Sequence, residues 1–381
     1  MKATFTCQIK TLTPVHVGSG KNYMRNADFD LYNNWLTVYD AHRLQKAIAE
    51  AGKEVAEQYY NYLQAQERPS VFGFLKKMQW PKRNFVKYEI AVDSGYIFDI
   101  KAQIKNGFGL PLLPGSSIKG ALRTAIWKYL VEQVNNEREI ERRLPKSLKI
   151  KEHQADQQVK RFLLGENPND DWMRVLQVSD ATFNKEDLDL FKVKILTQTN
   201  EGYALKQLGK FRKNLAPQQV SHATTILLEA LKAGVTSQPF EIALDAFLLN
   251  HEKFKPTDFD LPDKDAFWKQ VDSHFRELAE KERQFFRQLD FKEAERFYER
   301  DILGRPSEEG TYLMRLSWGG GWRFTTGDWL TEQQKAEIRR VYGLGRKGVR
   351  EFPKTRRLVV ENGKPYLPLG WVQVKILNGK S

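Results

Sequence analysis

The chain has 381 residues, with 61 Lys or Arg against 48 Asp or Glu, a formal net charge of +13. That length suggests about two to three domains, and the 41% hydrophobic and 12% aromatic content suffices for sizeable cores and excludes broad disorder. The single cysteine, Cys7, excludes a disulfide-stapled secreted domain and a cysteine-based zinc site, while the basic excess points to a polyanionic partner.

Phe5 to Leu12 alternates apolar and polar residues and predicts a first strand, ending at Thr13-Pro14. The opening segment lacks the apolar core of a signal peptide. No apolar run reaches the roughly 20 residues of a membrane span, so a cytoplasmic location without membrane contact is expected. Asn33-Asn34 between β-prone residues predicts a hairpin over Phe29 to Tyr39. From Asp40, a plausible N-cap, the spacing of Ala41, Leu44, Ile48 and Val55 predicts a helix to about Gln66. The Gly- and Pro-rich loop NGFGLPLLPGSSIKG leads into an amphipathic helix, SIKGALRTAIWKYLVEQV. Residues 133–171 are charged and helical in tendency. Arg174 to Phe183 reads as a strand running into a turn, and Leu190 to Thr197 as another. Ala223 to Ala233 and Phe240 to Phe247 look like paired strands joined near Gly234. A charged helical stretch covers 264–303, a short strand Thr311 to Ser317, a helix about Thr331 to Tyr342, and a last strand Trp371 to Ile376. This mixture lacks a βαβ rhythm and predicts an α+β fold of antiparallel sheets with helices on one face. We divide it at residue 250, with a helical, glycine-rich region over 251–381.

Four segments carry candidate chemistry. In PGSSIKGALR, Ser116 or Ser117 can cap the helix, and Lys119 and Arg123 share one helix face. Two cations near a helix N-terminus oppose the macrodipole, and a phosphate there would relieve both. A helix start with solvated cations is the plainer alternative. In PVHVGSGKN, Gly18 and Gly20 permit close backbone approach, with His16, Lys21 and Arg25 as donors. It is not a P-loop, because Val15 and Asn22 break that pattern. In SWGGGWRFTTGDW, Trp318, Trp322 and Phe324 could stack on bases, Gly320 allows close approach, and Arg323 could reach a phosphate. Equally, these aromatics could fill a core. The stretch Arg339 to Arg357 holds eight basic residues, Arg346 and Lys347 among them, against one acid, Glu351. Its G-x-G-x-x-G match at Gly343, Gly345 and Gly348 carries no weight, because no strong strand precedes it and Pro353 follows. The six histidines are scattered without metal-ligand spacing, and no nucleophile elbow is present, so neither a cofactor nor a catalytic set is expected.

The order TPVHVGSG, LPGSSIKGALRTA, VSDATF, EALKAG with FEIAL, then SWGGGW and LGRKG, resembles the RAMP superfamily of CRISPR proteins, most closely subunits of type III-A (Csm) effector complexes. That resemblance implies ferredoxin-like (RRM-like) modules with helical insertions, whose glycine-rich loops hold guide RNA. It implies CRISPR RNA and other Csm subunits as partners, above all the backbone RAMP subunit, with host nucleases drawn in during RNA maturation. It implies a non-catalytic cap near the guide 3′ end. Carried over by position, the RNA-facing residues are His16, Gly18, Gly20, Lys21, Ser116, Ser117, Lys119 and Arg123. It supplies no catalytic residue, and Asp180 in VSDATF reads as structural. Three alternatives stay open: a different RAMP subunit, a metal-independent endoribonuclease with His16 as its first suspect, and a mainly protein-binding cap using the charged helices.

Overall fold

The computed structural model describes residues 2–65, 70–92, 97, 99–132, 134–147, 159, 163–165, 169–199, 202–206, 225–245, 247–248, 251, 264–306, 308–316, 318–326, 328–343, 355–362 and 364–380. The strands in the first half are β1 (Lys2–Thr11), β2 (Gly18–Met24), β3 (Phe29–Tyr32), β4 (Trp35–Tyr39), β5 (Val86–Ala91), β6 (Asp99–Gln103), β7 (Leu112–Leu113), β8 (Leu176–Val178) and β9 (Ala181–Thr182). They are followed by β10 (Leu188–Thr199), β11 (Gly202–Leu205), β12 (Thr225–Leu231), β13 (Phe240–Asp245), β14 (Thr311–Arg315), β15 (Thr355–Glu361), β16 (Lys364–Pro368) and β17 (Trp371–Lys380). The helices are α1 (Ala41–Ala51), α2 (Lys53–Ala65), α3 (Val71–Lys77), α4 (Gly115–Val131), α5 (Val134–Ser147), α6 (Lys264–Gln288), α7 (Lys292–Arg296), α8 (Gly321–Thr326) and α9 (Glu332–Tyr342). A π-helical turn, Phe297–Leu303, continues α7.

The alternation that predicts β1 places Phe5, Cys7 and Ile9 in the core. β1 lies at the centre of an antiparallel sheet ordered β14-β17-β1-β13-β8, so residues on either side of position 250 share one sheet. α4 packs on β8, α6 on β14, and the two helices on each other. Ile118, Leu122 and Ile126 of α4, and Val271, Phe275 and Leu278 of α6, join the same core cluster as Phe5 and Val374. A second sheet runs β16-β15-β10-β12-β6-β2, with β11 beside β10. Its β12–β6 contact is parallel, a departure from the antiparallel expectation. The mixed α+β class and the antiparallel sheets are otherwise as expected.

A third sheet, β3-β4-β5, lies against the second through Phe29, Leu36, Val38, Ile100, Leu190 and Leu227. Tyr39 belongs instead to a cluster with Leu44, Ile48, Phe74 and Phe85, which joins this sheet to α1 and α3. The Asn33-Asn34 hairpin forms with both residues at positive φ, 48° and 63°. Asp40 caps α1 by accepting the Arg43 N–H at 3.1 Å.

Three expectations are corrected. The helix predicted to run to about Gln66 breaks at Gly52, whose φ of 96° ends α1 before α2 begins. β12 and β13 are not a hairpin pair, since β12 lies between β10 and β6 and β13 between β1 and β8. The connection passes along the end of β1, where the Thr11 and Ser237 hydroxyls hold it: Thr11 Oγ1 donates to Lys232 O at 2.6 Å, and Ile9 N–H donates to Ser237 Oγ at 3.0 Å. Neither Ser116 nor Ser117 caps α4. The helix begins at Gly115, behind Pro114.

His274 of α6 is 3% exposed, and neither ring nitrogen has a hydrogen-bond partner among the described residues. Burial, helped by Lys128, pushes its pKa down to about 3. The unfolded chain takes up this proton near pH 6.5 and the folded chain does not, so stability falls as pH drops below 6.5. His274→Leu is expected to abolish an acid destabilisation of roughly 1–2 kcal/mol between pH 6.5 and about pH 5. Urea midpoints at the two pH values measure it, and equal pH slopes in variant and wild type would contradict a neutral buried imidazole.

Candidate nucleic-acid interface

The loop 14–21 leaves the core sheet and enters the second one. His16 is 1% exposed. Its Nδ1 lies 2.6 Å from the Glu229 carbonyl oxygen, which can only accept, so Nδ1 carries the proton. Burial pushes the ring's pKa below its ordinary value, and the hydrogen bond to Glu229 offsets only part of that. The ring meets Trp318 edge-on at 6.1 Å, and the His16 carbonyl accepts the Trp318 N–H at 2.9 Å. His16 is thus a buried brace beneath the loop. Gly18, Gly20 and Lys21 are exposed above it, and the register to β6 shifts between Gly18 and Asn22, where Gly20 takes φ 78°. Arg25 is half-buried at the far end of β2.

Glu229 holds this brace in place. It is 0% exposed and accepts from Lys87 Nζ at 2.7 Å, Lys105 Nζ at 2.5 Å, Tyr88 Oη at 2.9 Å and the Gln103 N–H at 3.1 Å. Tyr23 Oη lies 3.2 Å from both carboxylate oxygens. Burial alone would raise the carboxyl's pKa, but Lys87 and Lys105 outweigh it and hold the group below its ordinary value. Sequence reasoning misses Glu229. Its signal is a lone acid inside the apolar run TILLEAL, since an unpaired carboxylate in such a strand would be prohibitively costly.

A single buried amide joins the first loop to the second motif. Gln103 Oε1 accepts the Val17 N–H at 2.9 Å, and Gln103 Nε2 donates to the Leu112 carbonyl at 3.0 Å. Leu112 lies in β7, immediately before Pro114 and α4. Asp180, at the β8–β9 turn, accepts the Gly115 N–H at 2.7 Å, so the first free N–H of α4 is met by a carboxylate. That is the structural role expected for Asp180. Ser116 is exposed, and Ser117 and Lys119 are half-buried. Burial lowers the pKa of Lys119, and Asp171 counters it. Arg123 stacks 4.9 Å from the Trp127 ring centroid, with Nη2 buried and unpartnered among the described residues.

The glycine segment divides differently. Trp318, Trp322 and Phe324 all pack against the main core. Arg357 lies 4.8 Å from the Trp318 centroid, and Phe324 meets Trp371 edge-on at 5.7 Å. A side chain at Gly320 would collide with Arg315, whose Nη1 stands 2.7 Å from where a Cβ would lie, so this glycine faces inward. Arg323, expected at a phosphate, is engaged internally instead. Its Nη1 is 2.7 Å from Glu282 and its Nε 3.5 Å from Asp328. Arg346 and Lys347 lie outside the described residues. Among the described residues, no three His, Cys, Asp or Glu side chains converge as metal ligands, and no helix is long and apolar enough to cross a membrane.

The RAMP superfamily matches this chain over residues 8–341. The chain belongs to the RAMP superfamily. Among curated RAMP relatives it is 27% identical to the CRISPR system Cms protein Csm5 of Streptococcus thermophilus over 233 residues, covering 56% of this chain and 61% of that one. It is 28% identical to the protein of the same name from Enterococcus italicus over 156 residues, 33% of this chain and 43% of that one. The matches thus span less than two thirds of either relative. This RAMP fold is similar to a chain in the cryo-EM structure of a Csm–crRNA–target RNA ternary complex of a type III-A CRISPR-Cas system, with TM-score 0.68, 23% identity, and 98% and 100% of the two chains covered. It is also similar to the crystal structure of T. onnurineus Csm5, with TM-score 0.61, 22% identity, and 96% and 99% covered.

Proposed function

We propose that this chain is a non-catalytic guide-RNA-binding subunit of a type III-A (Csm) effector complex, capping the guide near its 3′ end beside the backbone RAMP subunit. The observation that carries the reading is the Gln103 clamp, which brings the exposed Gly18–Lys21 bulge together with the strand that leads into α4. On this reading the guide backbone is held by backbone donors, Lys21, Ser116, Ser117 and Lys119, on a chain of net charge +13. Because Asp180 already meets the helix N-terminus, a phosphate is directed to the flank of α4 rather than its tip. The names of the curated relatives and the Csm–crRNA complex support the same assembly, with CRISPR RNA and other Csm subunits as partners and host nucleases as visitors during guide maturation. His16 favours a scaffold over an endoribonuclease, since a buried imidazole with its Nδ1 proton tied to a carbonyl is built to brace a loop.

Single-stranded RNA binding by the full chain should weaken with salt, with a log–log slope of about −0.7 per phosphate contact. Lys119→Ala with Arg123→Ala should flatten that slope by roughly 1.4, for two lost contacts, and lower guide retention in the purified complex. A double variant that keeps the wild-type slope and assembly removes α4 from the interface.

A further inference from the structure

Phe108 is 85% exposed, the most exposed large hydrophobic side chain among the described residues. Its backbone is nonetheless fixed. The Asn106 side-chain oxygen accepts the N–H groups of Phe108 and Leu110, both at 3.0 Å. The Asn106 N–H donates to the Leu110 carbonyl at 2.9 Å, and the Gly109 N–H donates to the Asn106 carbonyl at 2.9 Å. Four hydrogen bonds therefore close a five-residue turn that holds one phenyl ring out into solvent. Leaving such a ring exposed forgoes burial that would stabilise any fold, and a turn ordered in advance lowers the entropic cost of gripping a ligand.

The turn's position suggests the ligand. Its stem begins at Ile104, whose N–H donates to the Val17 carbonyl at 2.9 Å, just before Gly18. It closes with the Lys105–Pro111 bridge and passes through β7 directly into Pro114 and Ser116. The turn that carries the ring thus links the two loops of the candidate RNA surface. The Lys185 side chain runs beside Gly109, its Nζ 3.9 Å from where a Cβ would lie. Other exposed aromatic rings, Tyr32 and Trp35 at the β3–β4 hairpin among them, sit on elements that none of these hydrogen bonds ties to the two loops. Aromatic rings beside cations take up unpaired bases by stacking, with little regard to sequence.

We propose that Phe108 is a stacking platform for one unpaired base of single-stranded RNA, a contact that rests on the RNA-binding reading above and adds a non-electrostatic component to it. The test uses the full chain and a single-stranded RNA carrying 2-aminopurine, whose fluorescence reports stacking. Phe108→Ala should weaken binding roughly 5- to 150-fold and remove the stacking signal. Phe108→Leu should do nearly the same and Phe108→Trp should retain both, with the salt slope unchanged in all three, unlike the Lys119/Arg123 variant. Wild-type affinity and signal in Phe108→Ala overturn the proposal. So does an alanine variant that binds RNA normally but no longer joins its neighbouring subunits, since the ring is then a protein contact. If the wild-type chain binds no RNA at all, the RNA-binding reading fails and this contact falls with it.

Discussion

Glu282→Ala lowers the stability of the folded chain by about 3–5 kcal/mol, the range for removing one partner of a buried ion pair. Glu282 is 3% exposed in its side chain and receives a two-pronged contact from Arg356, Nε at 2.6 Å and Nη2 at 3.0 Å, with Arg323 Nη1 at 2.7 Å. Burial would raise its pKa, but Arg356 and Arg323 prevail and hold it below the ordinary carboxylate value. Alanine leaves both guanidiniums in a dry setting. Through them it loosens α6 from β15 and from α8, the helix that holds the glycine segment in place. A depressed carboxylate stabilises the fold above the unfolded pKa of about 4.3, and that contribution is lost as pH falls through the folded value. The measurement is urea unfolding of variant and wild type at neutral pH, with Glu282→Leu as a second variant. A midpoint within error of wild type in Glu282→Ala would remove the buried pair from any account of this fold.

The second large effect is at Gly115. A Cβ there would sit 2.0 Å from the Val178 carbonyl oxygen and 2.8 Å from its carbon, both backbone atoms of β8. Gly115→Ala must therefore push α4 off the sheet and stretch the Gly115–Asp180 hydrogen bond, an overpacking cost of about 3 kcal/mol or more. Gly120, one turn and a half later, provides the control. Nothing lies within 4 Å of its Cβ position, so Gly120→Ala gains roughly 0.5–1 kcal/mol of helix propensity. If the two alanine variants unfold at the same urea concentration, the close approach of helix and strand is not a constraint on stability. Because α4 carries Ser116, Lys119 and Arg123, the Gly115 variant should also bind RNA less tightly than its residual folded fraction predicts.

How much of the molecule is legible in the sequence follows the range of the interaction. The β1 alternation, the Asn33-Asn34 hairpin, the Asp40 cap and the helix after Thr331 are local, and each can be read from neighbouring residues. The start of α4 is misread from sequence because its first N–H is met by Asp180, 65 residues downstream, and no neighbouring residue reports that. Arg323 looks free for a phosphate because its carboxylate, Glu282, lies 41 residues earlier. β12 and β13 both look like strands and both are, but which sheet each joins is decided by partners far along the chain. The candidate surface is half visible. Its glycines, serines and cations stand out as motifs, whereas Glu229 and Gln103, which fix the geometry from beneath, carry no motif of their own. Phe108 lies in a loop that draws notice only for its glycines and prolines.

β1 has a consequence for biosynthesis. Phe5 pairs with Ile242 on one side and with Gly379 on the other. Made before both of its partners, this strand waits with one edge bare until β13 is made, and with the other bare until β17 emerges. Until then its backbone donors and acceptors are open to any stray strand, including that of another nascent copy. Long-range pairing of this kind folds slowly. Messages truncated before Trp371 would yield a chain whose central strand keeps an open edge, a substrate for chaperones and proteases rather than a subunit ready for assembly.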